Sequence, residues 1–305
     1  MNRIVFLTIM LVNLFALGRV SGQDHSFDPP WNTPPTEGLQ FTVPGIDNVP
    51  DLYGDITDPQ LIIFFGGNQF MVIDDLLSAF KKQYPQYQRV FAETLPPGIL
   101  GKQIQSGSIT IGNMRISHQP DIYTAGKGKI DEFSDMFLRT ETYAKSKLAI
   151  MVQKGNPQQI KSLADLGHKD VLVSMPNPEW EGIGKLIEEA YTKVGGQKLR
   201  ELIMHDKVNA KTTFLTQIHH RQTPMRILYG QSHAGPVWYS EAYYQKMIGH
   251  PIELVEIPEK DNIESTYVAG LLKKAPHPKA AKDFMDFLTS TTAKNIYVKY
   301  GFNVN

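Results

Sequence analysis

The chain has 305 residues, enough for two domains of ordinary size, and 41% of them are hydrophobic, which is typical of a globular protein. Its 31 basic and 31 acidic residues balance, so the composition gives no support for a general nucleic-acid-binding surface. The sequence contains no cysteine, which excludes disulfides, thiolate catalysis and cysteine-ligated metal sites.

The first 22 residues have the pattern of a secretory signal peptide. Arg3 provides the positive charge, Ile4 to Leu17 form the apolar segment, and small residues at 20–22 precede a predicted cleavage site before Gln23. The apolar run is too short for a comfortable membrane span. We therefore predict an exported protein that resides in the periplasm.

The next two segments predict an arm followed by a strand, a glycine turn and a helix. Residues 23–58 are rich in Pro, Gly, Asp and Thr, which predicts an extended arm lying over the surface. Leu61 to Phe65 is an apolar run of strand length, Gly66 and Gly67 interrupt it, and Asn68 is a suitable helix N-cap. Such a turn points backbone N–H groups at the space before the helix, where an anion can bind. The alternative is an ordinary strand-to-helix connection.

Strands and helices alternate along the rest of the chain. The predicted strands are 87–93, 119–125, 147–153, 169–175, 234–239, 252–257 and 265–272, and the predicted helices are 99–106, 129–137, 185–194, 198–204, 240–247 and 278–300. Residues 107–118 fit neither pattern. The connections have the lengths of βαβ units, which predicts an α/β protein with mostly parallel sheets.

Two later turns repeat the arrangement of the first. Gly98 and Ile99 follow the strand at 87–93, and Glu181, Gly182 and Ile183 follow the strand at 169–175. Each turn precedes a predicted helix, so the two turns are the second and the third candidate anion cradle, respectively.

Three phrases of the sequence carry a family resemblance. They are LIIFFGGNQFMVIDDLLSAFKKQYP at 61–85, KLAIMVQKGNP with IKSLADL at 147–166, and AGLLKKAPHPKAAKDFMDFLTSTTAKNIYVKYGF at 269–302. They resemble the type II periplasmic solute-binding proteins of ABC importers, most closely the molybdate- and tungstate-type oxyanion binders. The resemblance implies two α/β lobes with central, mostly parallel sheets joined by a two-strand hinge. The first lobe would be 59–145 plus 267–305, the second 146–266, and the ligand would lie in the cleft between them.

The same resemblance implies where the ligand binds. Position by position it assigns the first cradle to Gly66, Gly67, Asn68 and Gln69, the second to Pro97, Gly98 and Ile99, and the third to Glu181, Gly182 and Ile183. Asn and Gln stand in the first cradle where the family has small hydroxyl residues.

The phrase HHRQTPMR at 219–226 resembles a branch associated with arsenic oxyanions and phosphonate-like ligands. Arg221 offers a planar fork to two oxygens of one anion, protonated His220 is a second donor, and Thr223 adds a hydroxyl. Trp238 and Tyr239 would wall the cleft. Because the chain has no thiolate for arsenite, we predict arsenate or phosphate, passed to an ABC permease or to the periplasmic domain of a histidine kinase, with no cofactor.

Other interpretations of these residues remain open. Each histidine or arginine could be structural, and Trp238 and Tyr239 could be core residues. A zinc- or ferric-ion-binding protein is the alternative function, because five histidines and a tyrosine pair fall in the predicted second lobe: His205, His219, His220, His233, His250 and Tyr243-Tyr244. None of these has a tight metal-ligand spacing. No GxSxG, HExxH or SxxK motif occurs, so the sequence does not indicate an enzyme.

Overall fold

The computed structural model describes residues 51–179, 181–217 and 219–304, together with the backbone of a short strand at 39–41. The predicted signal peptide and most of the predicted arm lie outside these residues. No helix in the described part of the chain is long and apolar enough to cross a membrane.

The described residues form thirteen strands and nine α-helices, with short 3-10 or π turns between them. The strands are β1 Leu39–Phe41, β2 Leu52–Gly54, β3 Leu61–Phe64, β4 Val90–Glu93, β5 Ile109–Ile111, β6 Met114–Ile116, β7 Ile122–Gly126, β8 Phe137–Gln153, β9 Val173–Met175, β10 Thr213–Leu215, β11 Ala234–Trp238, β12 Ile252–Glu256 and β13 Glu264–Leu272. The helices are α1 Ile73–Gln83, α2 Pro97–Ser106, α3 Lys127–Glu132, α4 Gly182–Glu201, α5 Lys207–Asn209, α6 Gln222–Leu228, α7 Tyr239–Met247, α8 Pro278–Leu288 and α9 Thr291–Lys299.

The first lobe is built on one sheet with the strand order β1-β2-β4-β3-β7-β13-β8. Its three central strands, β4, β3 and β7, are parallel, whereas the flanking strands are antiparallel to their neighbours. Because β3 and β4 are parallel, the turns that follow them lie at the same edge of the sheet. That edge is where ligands of open α/β sheets bind.

The second lobe repeats this plan. Strands β10, β9 and β11 are parallel, and β8 and β12 complete the sheet as antiparallel strands. The carboxyl ends of the three parallel strands lead to Glu181, to the segment 219–221 and to α7, respectively. All three predicted elements of the second-lobe site therefore start from one edge.

Two long strands connect the lobes. The 17-residue strand β8 pairs with β13 from Phe137 to Lys147, and then with β11 and β12 from Leu148 to Gln153. Alternate residues of the strands point to opposite faces, so each sheet has a core on both sides. In β8, for example, Leu148 and Ile150 belong to one hydrophobic cluster and Ala149 and Met151 to another.

The structure corrects several sequence predictions. Asn68 is not a helix N-cap: Gly67–Val72 forms a 3-10 turn ahead of α1, and the Asn68 side chain donates to Tyr267 instead. Residues 107–118 contain the hairpin β5–β6. The predicted helix 278–300 is two helices, because the hydroxyl of Ser290 accepts a hydrogen bond from Ala293 N and starts α9.

Part of the predicted surface arm, residues 51–53, is also not at the surface. Asp51 and Leu52 are fully buried, and β2 pairs with β4 as part of the first sheet. Leu52 packs into the same hydrophobic cluster as Phe64 and Phe91. Burial of this apolar side chain fixes the segment, and with it the position of Asp51.

Candidate functional site

The two lobes meet at the glycine turn after β3. The ring of His219, from the second lobe, packs directly on the backbone of Gly67 in the first: a Cβ on Gly67 would lie 3.0 Å from Cε1 of His219 and closer still to Nε2. Only glycine permits this approach. The amides of Gly67 and Asn68 precede the first hydrogen bond of the 3-10 turn, from Gln69 N to the oxygen of Gly66 (3.0 Å), so neither has an acceptor within the turn.

The hydrogen bonds of His219 define where its proton is. Its Nδ1 accepts from the backbone N–H of Arg221 (3.0 Å) and from the Nε–H of the same residue (3.2 Å). A nitrogen that accepts from two donors carries no proton, so the ring proton is on Nε2. Burial, with the positive charges of Arg221 and His220, holds the pKa of His219 well below its usual range. The ring is therefore neutral, and its Nε2–H is buried beside Gly67 with no hydrogen-bond partner among the described residues.

Arg221 crosses from the second lobe to the first. Its Nη2 forms an ion pair with the carboxylate of Asp51 and donates to the carbonyl oxygen of Thr94 at 3.1 Å, and its Cζ lies 5.7 Å from the centre of the Phe70 ring. The arginine side chain is 2% exposed and the aspartate side chain 0%. The predicted anion-binding guanidinium is thus at the lobe interface, but a carboxylate of the protein already contacts it.

His220 lies between two carboxylates of its own lobe. Its Nδ1 is 3.0 Å from Oε2 of Glu181 and its Nε2 is 3.1 Å from Oε1 of Glu241. Burial lowers the pKa of His220, but the charge of Glu241 and the hydrogen bonds to both carboxylates outweigh it and raise the pKa to about 9. His220 is accordingly an imidazolium that holds the first turns of α4 and α7 together, and both of its N–H groups face glutamates rather than a ligand.

A second buried carboxyl group lies near the interface. Glu93 ends β4 and is fully buried, and its Oε1 accepts from Nε2 of Gln103 at 3.1 Å. Burial raises the pKa of Glu93 to about 8. The hydrogen bond from Gln103 lowers this pKa, and the negative charge of Asp51 raises it further. Near neutral pH this group is mainly protonated, so it adds little negative charge to the interface.

The other first-lobe residues that were predicted to bind the ligand lie in different surroundings. The side chain of Gln69 is occupied inside its lobe: Nε2 donates to Thr124 (2.9 Å), and Oε1 accepts from the hydroxyls of Tyr143 (2.7 Å) and Tyr297 (2.9 Å). Gly98 and Ile99 lie half-buried in the first turn of α2. That turn adjoins the first one, since a Cβ on Gly66 would lie 3.5 Å from Cγ of Pro97.

The second-lobe predictions are mostly engaged within their own lobe. Glu181 accepts from Thr216 as well as from His220. Ile183 is a core residue, and Gly182 is exposed with open space around its Cα. The hydroxyl of Thr223 is 3.0 Å from that of Ser174.

The predicted aromatic wall is divided between two places. Trp238 is buried and lies edge-on to Tyr267 of the hinge, with ring centres 6.0 Å apart. Tyr239 instead stacks on Tyr243 at 5.9 Å and lines a separate cavity of about 640 Å³ beside the hinge, together with Lys147. Trp238 also belongs to the hydrophobic cluster of the second lobe, which is the alternative of a core residue.

One cluster has the composition of a metal site. Side-chain ligand atoms of Glu181, His219 and His220 lie within 4.8 Å of one another, and all three residues are buried. The proton positions oppose this use: His220 carries protons on both nitrogens, and His219 would have to give up its Nε2 proton or its two contacts with Arg221. A cation would therefore have to displace protons from both histidines.

Three residues of the site were not predicted from the sequence. Asp51 lies in a segment that read as a surface arm, and Glu241 lies in the first turn of an otherwise ordinary helix. His219 was considered only as a metal ligand, since two adjacent histidines give no indication of which one faces the partner lobe. The apolar side chain of Leu52, next to Asp51, was the signal in the sequence that this segment could be buried.

Comparison with known proteins supports the same fold and family. The model of a family described as bacterial extracellular solute-binding protein matches residues 61–303. The molybdate-binding protein ModA of Mycobacterium bovis is 25% identical over 162 residues, which cover 52% of this chain and 55% of ModA. The chain thus spans about half the length of the curated relatives it matches.

Solved structures show the similarity of fold over most of the described chain. The periplasmic molybdate-binding protein of Azotobacter vinelandii has a TM-score of 0.65 at 18% identity and covers 80% of this chain and 99% of its own. The sulfate-binding protein SubI of Mycobacterium tuberculosis has a TM-score of 0.64 at 17% identity, covering 79% and 85%. The predicted fold of two α/β lobes joined by a two-strand hinge is confirmed. With a family match over more than half its length, this chain belongs to the bacterial extracellular solute-binding proteins.

Proposed function

We propose that this protein binds a tetrahedral oxyanion of the arsenate or phosphate kind between its lobes and delivers it to an ABC permease or to the periplasmic domain of a histidine kinase. It acts as a binding protein and not as an enzyme, after export by the signal peptide at residues 1–22. Membership of the solute-binding family supports the binding role. Relatives named for molybdate and sulfate support an oxyanion as the ligand.

The observation that carries the proposal is the contact between His219 and the glycine turn. A neutral ring points a buried Nε2–H at Gly67, and the first amides of the 3-10 turn are at the same place. Unpaired buried donors are costly, so a site that collects them is suited to an acceptor that comes from outside. An oxyanion is such an acceptor, because it offers several oxygens to donors that arrive from opposite lobes.

Arg221 supplies the charge that an anion requires. The guanidinium already lies at the interface and bridges the lobes through Asp51 and Thr94. A ligand bound here would contact groups of both lobes, which is how a hinged protein favours its closed form.

Calorimetric titration of the chelator-treated protein tests the proposal directly. Sodium arsenate, phosphate, molybdate and sulfate, and zinc chloride, are titrated separately. We expect heat from at least one oxyanion. Heat from zinc alone would overturn the anion assignment.

Two substitutions test the named donors. Arg221→Ala removes a charge-assisted contact of the kind worth about 1.5–3 kcal/mol, so anion affinity should fall at least about tenfold. His219→Phe keeps the ring volume but has no N–H, and we expect a loss of similar size. The matched control is His205→Phe, because the His205 side chain is 74% exposed and should leave affinity unchanged. Normal binding by both variants would assign these residues a structural role only.

A buried metal ion is the second candidate, supported by the Glu181–His219–His220 cluster. Buried carboxylate and imidazole groups at this spacing suit zinc. This alternative predicts tight binding of zinc, release of protons on binding, and loss of both in Glu181→Gln. The anion proposal predicts no measurable difference in zinc binding between Glu181→Gln and the wild type.

A further inference from the structure

The first half of β8 is the last strand of the first-lobe sheet, and one of its sides is open. From Phe137 to Lys147 it pairs with β13 on one side. On the other side the described residues provide a single bridge, between Lys145 and Asn303. Along 138–142, the backbone N–H and C=O groups that point away from β13 therefore have no partner strand in the described part of the chain. An open edge of this kind accepts a further strand through backbone hydrogen bonds.

One face of this edge carries an apolar side chain and a groove. Thr140 and Thr142 lie on the face of α3, beside a groove of about 330 Å³ that Ile130 and Val268 also line. Leu138 lies at the end of the same groove and is 71% exposed, the largest value for a large hydrophobic side chain among the described residues. The edge thus has an uncovered leucine next to a groove that can receive one.

The opposite face of the edge carries charges. Arg139 contacts Glu141, two residues further along the strand, at 2.9 Å and Asp286 of α8 at 2.7 Å. The side chains of the arginine and of the glutamate are 37% and 34% exposed. Both charges are therefore accessible to a strand that is added at this edge.

The order of these two charges makes the edge complementary to itself. When two copies pair their edges antiparallel about a two-fold axis through Thr140, Arg139 of each copy lies opposite Glu141 of the other. An axis through residue 139 would set arginine opposite arginine, and one through residue 141 would set glutamate opposite glutamate. Opposite charges stabilise a directly opposed pair of strand residues, and like charges destabilise it.

We propose that this edge binds the same edge of a second copy, in the register centred on Thr140, to form a symmetric dimer with a continuous sheet. The pairing of β8 with β13 is regular from Arg139 to Thr142, which is the stretch that this register uses. The surface lies outside the ligand cleft, so the inference does not rest on the proposed oxyanion function.

The same register covers the apolar side chain. Leu138 of one copy lies next to Thr142 of the other and extends over its groove, towards Val268, which is paired with Thr142 in the sheet. The two β8 strands run in opposite directions, and each enters its second lobe after Lys147. The second lobes therefore lie at opposite ends of the dimer, and the first lobes make the contact.

Sedimentation equilibrium of the purified protein tests the contact. A single pair of strands is a small interface, so we expect a dimer with a Kd on the order of 10–100 μM, measured between about 10 and 500 μM protein. Leu138→Lys places a charge where the apolar side chain is covered and should raise the Kd at least about tenfold. Because Leu138 is largely exposed in the single chain, this substitution leaves the fold intact. The control is Lys169→Glu, at an exposed position of the second lobe, which should leave the Kd unchanged.

Reversing single charges tests the register. Glu141→Arg sets two positive charges opposite each other, and Arg139→Glu sets two negative charges opposite each other, so each variant alone should be monomeric where the wild type is dimeric. Mixing the two variants in equal amounts pairs a positive edge with a negative one and should restore the dimer. A purely structural role of these residues would not produce this recovery.

The outcomes decide the proposal in either direction. A wild type that is monomeric at about 500 μM overturns it. A wild-type dimer that persists in Leu138→Lys and in both charge variants uses another surface and also overturns it. Charge variants that stay monomeric when mixed overturn the register centred on Thr140. If a charge variant does not fold, the comparison of the wild type with Leu138→Lys and Lys169→Glu decides.

Discussion

Replacing Gly67 by alanine tests the lobe interface at its closest point. The added Cβ would lie 3.0 Å from Cε1 of His219, 3.1 Å from the oxygen of Thr94 and closer still to Nε2 of His219. The ring cannot simply turn aside, because Nδ1 is held by two donors of Arg221 at 3.0 and 3.2 Å. The clash therefore falls on the contact between the lobes.

The expected cost is that of overpacking a close contact, about 1–3 kcal/mol. Gly67 begins a 3-10 turn that leads into α1, and its backbone needs no left-handed conformation. Within the first lobe alanine therefore meets only the oxygen of Thr94, at 3.1 Å, which has to shift by a few tenths of an ångström. The cost thus acts on the closed arrangement of the lobes. A shift of about 1–3 kcal/mol in the closing equilibrium lowers ligand affinity about 5- to 150-fold.

Calorimetry with sodium arsenate and small-angle X-ray scattering measure the two consequences. Gly67→Ala should bind more weakly and scatter as a more open molecule, while its thermal unfolding changes little. Gly128→Ala is the matched control, since it lies in the first turn of α3 with nothing within 4 Å of the new Cβ. Adding His219→Ala to Gly67→Ala should restore the compact scattering. Wild-type affinity and scattering in Gly67→Ala would show that the ring does not press on this turn.

Three further substitutions test buried polar groups. The pKa of His220 is about 9, above the ordinary 6.5, so its charged form stabilises the fold fully below pH 6.5 and this stabilisation is lost as the pH rises through 9. In His220→Gln the melting temperature should therefore fall less over this pH range than in the wild type. Glu93, with a pKa raised by burial to about 8, makes the wild type less stable as the pH rises from 4.5 through 8. Glu93→Gln should therefore exceed the wild type by about 1–3 kcal/mol in urea unfolding above pH 8, and equal stability there would contradict the burial of a charge. Gln69→Leu leaves the buried hydroxyls of Tyr143 and Tyr297 without their acceptor and should cost about 2–4 kcal/mol in the same assay.

The order of elements could be predicted because each carries its signal locally. The apolar run of β3 and the spacing of Ile73, Leu76, Leu77 and Phe80 in α1 predicted a strand and a helix, and all four helix residues are buried. Predictions failed where the signal was not local. The first part of β8, from Leu138 to Thr142, alternates exposed and half-buried residues and acquires its strand form from pairing with β13.

The candidate site shows the same difference between local signals, which could be predicted, and contacts between distant residues, which could not. The turn at Gly67 and the segment at 219–226 could be identified from the sequence, because a glycine turn before a helix and an arginine side chain can each bind an anion without further residues. Hydrogen-bond partners could not be assigned to these groups from the sequence. Gln69 was predicted to bind the ligand, yet its side chain bonds to two tyrosines and a threonine of its own lobe. Its partners come from β8, which carries Tyr143, and from α9, which carries Tyr297, and no local pattern shows that these elements meet the turn.

The class of this protein, an α/β chain whose glycine turns follow buried strands, could be predicted because strand and helix periodicity and turn residues are properties of short segments; the division into two lobes followed from the family resemblance. The groups that meet between the lobes are known only from the three-dimensional arrangement of the chain. Asp51 contacts Arg221, and His219 rather than His220 faces Gly67. These contacts join residues more than 100 positions apart, and their charges and protons are set by burial, which the fold alone creates.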